Sequence, residues 1–396
     1  MSAWQKTRLS DCCEIISGAT PKTGVEEYWD GEIPWATPKD LSVLRGTYID
    51  DTPRKITAAG LKSCAASVLP AGSVLLSSRA PIGHVAINTI PMATNQGFKS
   101  LVPDARAVEA KYLYWWLKAN RSYLESLGNG ATFKEISKAI VSQVEIPLPP
   151  LAEQRRIAEV LDRADELRAK RREALGHLDD LTQSIFLDMF GDPAANPKSW
   201  PIAAMSTLFD RPPIYGTMIP GSELGGGWLC LRVANIQDWE LDLSDRKYVD
   251  LDGPALERHV VRNGDILLAR AIASQEHLGK AVVARPGEDQ WAFDSHLMRL
   301  SFDARRAEPE YIRAFLKSPG GRSLFLRVTR RSSVQYNINT KEMSALRLPV
   351  PPLARQKEFA ARMQAVDDLR TAHRTALAEL DALFSSLQDR AFRGLL

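Results

Sequence analysis

The residues of this chain best equipped for chemistry are arginines, lysines and side-chain amides placed in loop-like segments, and they recur. Lys39-Asp40, and Arg232 with Asn235, each follow a first apolar strand-like stretch. Arg79 and Arg270 each follow a second. Thr94-Asn95-Gln96 and Ser295-His296 fall at a third matched place, and Thr132-Phe133-Lys134 and Gln335-Tyr336-Asn337 at a fourth. A basic run of Arg322, Arg327, Arg330 and Arg331 precedes the last of these. Side chains of these types on loops can hydrogen-bond to base edges in a nucleic-acid groove. Each residue alone also suits an ordinary exposed loop; recurrence at equivalent positions sets the group apart. The candidate contacts are Lys39, Arg79, Asn95, Gln96, Lys134, Arg232, Asn235, Arg270, His296, Arg330, Arg331, Gln335, Tyr336 and Asn337.

Catalytic constellations are missing. There is no Gly-Lys-Ser/Thr phosphate loop and no serine in a Gly-x-Ser-x-Gly elbow. His84, His177, His259, His277, His296 and His373 show no metal-binding spacing. Asn196-Pro197-Lys198-Ser199-Trp200 begins like the Asn-Pro-Pro-aromatic motif of amino-methyltransferases but lacks the second proline and the adjacent aromatic. Gly225-Gly226-Gly227 follows no apolar strand and opens no helix, so it reads as a loop. Cys12, Cys13, Cys64 and Cys230 have no CxxC spacing and read as reduced cytosolic thiols, with no zinc site or disulfide frame. The pattern is that of a binder without catalytic residues or metal.

The elements that must position these loops occur twice. Trp4 answers Trp200, and Gly18 answers Gly216. The strand-like segment 33–41 answers 228–236. Gly72 to Arg79 answers Gly264 to Arg270, in each case a turn and a buried strand ending near an arginine. Gly83 to Ile87 answers Gly279 to Val283, and the amphipathic helix from Tyr112 answers that from Tyr311. Ile146-Pro147-Leu148-Pro149-Pro150-Leu151-Ala152 answers Leu348-Pro349-Val350-Pro351-Pro352-Leu353-Ala354.

After each Pro-Pro step the periodicity becomes helical, proline being tolerated only in a first helical turn. Ile157, Leu161, Ala164, Arg168, Arg171, Leu175, Leu178, Thr182 and Ile185 alternate at spacings of four and three, the seam of a coiled coil. Phe359, Met363, Val366, Leu377, Leu380, Phe384 and Leu387 continue the same seam in the second copy, the shared positions being offset by 202. The polar break is repeated too, as Arg168 and Arg171, then Arg370 and His373. Each helix is expected to run roughly 35 residues, or about 50 Å. The fold expected is α+β: mixed globular domains at 1–150 and 192–352, helical spacers at 151–191 and 353–396, the helices antiparallel in a pseudo-two-fold dumbbell.

Bulk composition adds little. The 396 residues are 44% hydrophobic and 25% charged, as in ordinary globular chains. The four segments carry net charges of +2, −2, +2 and +1, so positive charge for nucleic acid must be focused by folding. No apolar run reaches the roughly 18 residues of a membrane span, and the first residues lack the apolar core of a secretory signal. The expected location is cytoplasmic.

Pro147-Leu148-Pro149-Pro150-Leu151-Ala152-Glu153-Gln154-Arg155-Arg156-Ile157-Ala158, and its echo from Pro349 to Ala360, make the chain resemble the specificity subunits of type I restriction–modification systems. Phe186 to Pro193 with Asn196 to Pro201, the 264–270 strand and the Phe392-Arg393-Gly394-Leu395-Leu396 finish are similar as well. The resemblance implies two target-recognition domains, each reading one half of an asymmetric, split site on double-stranded DNA. It implies helices that set the gap and dock two methyltransferase (modification) subunits, with motor-nuclease (restriction) subunits completing a phage-defence complex. The chain itself then holds no cofactor: S-adenosylmethionine, ATP and Mg²⁺ belong to the partners, which methylate adenine N6 or cut. A two-headed protein scaffold fits the repeat equally well, and is separated from this reading by salt-dependent binding to DNA of defined sequence. A stand-alone nuclease or methyltransferase is disfavoured by the missing motifs.

Overall fold

The computed structural model describes all residues except 1–3, 131–133, 224–226, 273 and 332–335; at Arg330 and Arg331 it describes the backbone alone. The chain divides into two units, residues 1–172 with 375–396, and residues 173–374. Each long helix is therefore shared: Leu151–Phe190 contributes residues 151–172 to the first unit and 173–190 to the second, and Leu353–Arg393 is divided at residue 374. The helices have 40 and 41 residues, roughly 60 Å each, longer than the apolar seam alone implied.

In the first unit the main sheet runs Cys13–Ser17, Lys99–Pro103, Val74–Leu76, Val85–Asn88, Tyr48–Ile49. A smaller sheet places Trp29–Ala36 between Lys55–Ile56 and Ala93–Thr94. The second unit repeats this plan. Its main sheet runs Phe209–Tyr215, Leu297–Phe302, Ile266–Ala269, Ala281–Val283. Its smaller sheet places Trp228–Leu231 between Tyr248–Val249 and Trp291–Phe293. In both small sheets the inner pairing to the strand before the third candidate loop is parallel.

Two glycines show why the plan needs these residues. A Cβ on Gly18 would lie 2.0 Å from the Asn95 carbonyl oxygen, and one on Gly216 would lie 2.1 Å from that of Phe293. No side chain fits either place, so the backbone passes in contact with the loop it supports.

Each helix starts from its Pro-Pro step by the same device. The carbonyls of Pro150 and Pro352 accept the first helical N–H groups, and the N–H that proline lacks is one no helix start requires. Gln154 is fully buried. Its amide donates to Pro149 O (2.8 Å) and Ala107 O (3.0 Å) and accepts from Glu109 N (2.8 Å). Gln356 does the same with Pro351 O (2.7 Å), Arg306 O (3.5 Å) and Glu308 N (2.9 Å). Tyr112 and Tyr311 complete the joint by donating to Pro147 O and Pro349 O, each at 2.6 Å. The repeated glutamine thus latches each helix to the globular half before it.

Within the first unit the helices run antiparallel. Arg156 reaches the carbonyl of Leu396, and Arg168 reaches Asp381 at 2.5 Å. Ile157, Leu161, Ala164 and Phe384 are buried and Leu387 half-buried, in one core with Trp115 and Tyr112. Burying side chains of this size contributes about 1.5–3 kcal/mol each. Within the second unit Asp179 meets Arg370 at 2.9 Å and Phe186 meets Phe359 with ring centroids 5.7 Å apart, again antiparallel. Leu178, Phe359, Met363 and Val366 are buried there and Leu175 and Ile185 half-buried; Leu377 and Leu380, in the first unit, are half-buried as well. The polar break is a matched layer. Arg168 bonds Asp165 (2.7 Å) and Asp381, and Arg370 bonds Asp367 (2.6 Å) and Asp179, every pair shifted by 202.

Candidate nucleic-acid interface

The strand ends bring the candidate residues together within each unit. In the first, Thr37 caps the short helix Pro38–Val43 and leaves Lys39 exposed beyond the end of Trp29–Ala36. Asn95 N donates to Ala36 O (3.0 Å), so the Asn95-Gln96 loop lies beside that cap. Ser78 N donates to Gly97 O (2.7 Å) and Ile136 N to Ser78 O (3.0 Å), which brings in Arg79 and the segment with Lys134. Glu135 gathers two cations, Lys99 at 3.2 Å and Arg79 at 3.6 Å.

The second unit has the same hydrogen bonds. Arg232 N donates to Asn235 Oδ1 (3.0 Å) at the turn Val233–Asn235, Asp294 N donates to Leu231 O (2.9 Å), Arg270 N to His296 O (2.9 Å) and Ile338 N to Arg270 O (3.0 Å). Arg330–Arg331 pairs with Tyr336–Asn337, which pairs with Ala271–Ile272. This frame fixes the equivalences. Arg270 stands where the first unit has Ser78, and Arg79 stands where the second has Ala271. The two arginines are one residue out of register. The sequence matching of these arginines is therefore off by one residue: Ser78, not Arg79, makes the backbone hydrogen bonds that Arg270 makes.

The third loop is also shifted: Asn95 corresponds to Asp294 and Gln96 to Ser295. Both turn residues accept an N–H two residues on, from Gly97 at 2.8 Å and from His296 at 3.0 Å. Burial raises the Asp294 carboxyl above its ordinary value, against the pull of His296.

The candidates differ in what is left for a partner. Lys39, Gln96, Lys134 and His296 are exposed. Gln96 accepts from the Thr20 hydroxyl, and His296 Nδ1 is 3.4 Å from Asp294. Asn95 spends its oxygen on its own turn. Asn235 is buried; its oxygen accepts from Arg232 N and its nitrogen donates to Asp242 O and Asp245 O, both at 2.9 Å. That amide is committed to the turn, unlike a loop-tip reader. Arg232 is paired with Asp245 at 2.9 Å. Arg270 donates to Ser295 O (3.0 Å) and sits over Tyr215, 4.0 Å from its centroid. Tyr336 and Asn337 are half-buried. Gln335, Thr132 and Phe133 lie outside the described residues. Tyr215, Lys99, Glu135 and Asp294 were not singled out by sequence, since each is placed by pairing between distant strands.

Among the described residues no group of histidine, cysteine and carboxylate side chains is arranged to hold a metal. The four cysteines are free thiols. No described helix is long and apolar enough to cross a membrane.

The family model of the type I restriction modification DNA specificity domain matches residues 1–176 and 260–382. The chain belongs to this family. It is 39% identical over 191 residues to the type I restriction enzyme MjaIX specificity subunit of Methanocaldococcus jannaschii, covering 48% of this chain and 44% of that relative. It is 25% identical over 341 residues to the EcoKI specificity subunit of Escherichia coli, covering 80% and 72%. The type I restriction–modification S subunit from M. genitalium shares the fold at a TM-score of 0.60 and 14% identity, over 99% of this chain and 96% of that one. The match to the specificity family therefore falls on both globular halves and on both long helices.

Proposed function

We propose that this specificity subunit reads an asymmetric, bipartite sequence on double-stranded DNA, with 1–150 and 192–352 as the two target-recognition domains. The observation that carries this reading is one hydrogen-bonded frame holding different side chains in the two units. Ser78 stands against Arg270, Gln96 against Ser295, and the exposed Lys39 against Ala234. A shared frame with unlike contact residues suits two half-sites of different sequence.

The spacers at 151–191 and 353–396 set the number of unread base pairs between half-sites and dock two modification subunits. Exposed leucines support the docking role. Leu167 and Leu369, and Leu181 and Leu383, are matched by the 202 offset and are 44–51% exposed. The first unit presents Leu167 and Leu383, the second Leu369 and Leu181, so each offers one leucine from each helix. Motor-nuclease subunits would complete the cytoplasmic complex. S-adenosylmethionine, ATP and Mg²⁺ serve those partners, and this chain supplies no catalytic residue to adenine methylation or cleavage.

The test is to map methylated adenines in a host carrying this chain with its modification subunits. Two unlike half-sites at one fixed spacing are expected. Replacing 1–150 with the corresponding domain of another family member is expected to change one half-site only; a change in both, or in neither, refutes the two-reader arrangement.

A further inference from the structure

The first unit carries a cation that no motif marks. The strand Trp29–Ala36 brings two indoles together edge to face, with ring centroids 5.1 Å apart. Each is anchored: Trp29 Nε1 donates to Lys22 O (3.3 Å) and Trp35 Nε1 to Ala19 O (3.0 Å). Arg54 lies over both, its guanidinium carbon 3.9 Å from the Trp29 centroid and 5.1 Å from that of Trp35. Its backbone is fixed as well, because Trp35 N (3.1 Å) and the Thr52 hydroxyl (2.7 Å) both donate to Arg54 O. Arg54 is nevertheless exposed, and among the described residues its side chain pairs with no carboxylate. The neighbouring Asp51 is paired with Lys55 at 3.2 Å.

This platform adjoins the candidate loops of its unit. Ala19, whose carbonyl accepts the Trp35 indole, donates its N–H to Thr94 O (3.0 Å), and the Thr20 hydroxyl bonds Gln96. Ala36, next to Trp35, accepts from Asn95 N (3.0 Å), and the exposed Lys39 lies just beyond it. Trp29–Ala36 runs antiparallel to Lys55–Ile56 and parallel to Ala93–Thr94, so Arg54 stands at the same end of the small sheet as Lys39, Asn95 and Gln96. The second unit differs at this place. Cys230 N donates to Lys247 O (2.7 Å), the bond that Trp35 N makes to Arg54 O, so Lys247 takes the position of Arg54. Lys247 is neutralised by Glu223, and a buried cysteine stands where Trp35 does.

We propose that Arg54 is a specificity-determining residue of the first target-recognition domain, presenting its guanidinium to a guanine of the first half-site. The inference rests on the DNA-reading function proposed above. A guanidinium resting on an indole keeps its N–H groups free at the edge of the plane. That fork matches the O6 and N7 acceptors of guanine in the major groove, the commonest specific base contact. Shielding tryptophan rings from water requires only an apolar stem and leaves the fork without a role. Two anchored rings also remove rotamer freedom that a loose arginine would lose on binding. Lys247, tied to Glu223, offers no such fork, so the contact belongs to one half-site alone.

The test maps methylated adenines in a host carrying the full chain and its modification subunits, for the unaltered chain, Arg54→Met and Arg54→Lys. Methionine keeps an apolar cover on the rings without the fork, and lysine keeps the charge without the fork; thermal melts confirm that both variants fold. In Arg54→Met one guanine position is expected to relax, its preference falling about ten-fold or more. That position lies in the half-site assigned to residues 1–150 by the domain exchange. Arg54→Lys is expected to relax the same position, and both variants to keep the second half-site and the gap. A motif unchanged in both variants reduces Arg54 to a cover over the rings and overturns the proposal. Weaker methylation with every position still read, the mark of a phosphate contact, overturns it too, as does relaxation in the second half-site. In each of these cases a two-part motif in the unaltered chain upholds the DNA-reading function; its absence there sinks both.

Discussion

The guanidinium of Arg270 rests 4.0 Å from the ring centroid of Tyr215, whose hydroxyl in turn accepts a hydrogen bond from Thr340 N at 3.1 Å. The ring comes from Phe209–Tyr215 and the arginine from the end of Ile266–Ala269, so two strands fix one side chain before any ligand arrives. Pre-ordering a long side chain removes about 0.5–1.5 kcal/mol of cost at binding. Tyr215→Leu is expected to loosen the second half-site of the methylated sequence and leave the first intact, as read by mapping methylated adenines. Tyr215→Phe keeps the platform and is expected to keep the sequence. Loss of both half-sites in Tyr215→Leu would mean the ring supports folding alone.

Gln154→Leu tests the latch between globular half and helix. The substitution leaves Glu109 N, Ala107 O and Pro149 O without their partner in a buried place. Each orphaned group costs about 1–3 kcal/mol, so a loss of about 3 kcal/mol is expected in urea denaturation. Gln356→Leu is expected to cost less, because its bond to Arg306 O is already long at 3.5 Å. Equal or reversed losses would contradict the latch as drawn.

Much of this architecture is legible in the residues, and what is illegible has a common cause. The seam from Ile157 to Ile185 and its copy from Phe359 to Leu387 are periodic, so their burial follows from spacing alone. The duplicated Pro-Pro-Leu-Ala-x-Gln run marks both helix starts, though only the structure shows Gln154 and Gln356 bonding back to the preceding domain. The loop contacts are harder to read because their roles depend on strand register. Arg79 and Arg270 look equivalent in the chain and differ by one residue in the frame. Asn235 has the right chemistry for a base edge and spends it on a buried turn.

Asp294→Asn should change the pH dependence of stability. Burial holds the folded carboxyl above the ordinary value of 3.8. Between that value and its folded pKa the unfolded chain has lost the proton and the folded chain keeps it, so stability falls as pH rises through the interval. Above the interval the penalty is constant. Asn95 makes the equivalent turn with an amide, so asparagine at 294 keeps the bond to His296 N. The variant is expected to lack this acid-range decline and to be the more stable protein at neutral pH. Parallel melting curves against pH for the two proteins would dismiss the effect.

Deleting one heptad from each helix, 164–170 together with 366–372, tests the spacer. The cuts remove Asp165 with Arg168 and Asp367 with Arg370, the same layer in both units. Seven residues are nearly two whole turns, so the seam rejoins with a rotation of only about 20°. The buried residues just before each cut, Leu161 in the first unit and Met363 in the second, stay on the inward face. The loss is about 10 Å of helix, equivalent to about three base pairs of duplex. Both half-sites are expected to be unchanged in the methylated genome while the gap between them shortens. Asp381 loses Arg168 and Asp179 loses Arg370, so a lower melting temperature is expected alongside. A gap of unchanged length in a folded, active variant would separate the helices from the spacing of the site.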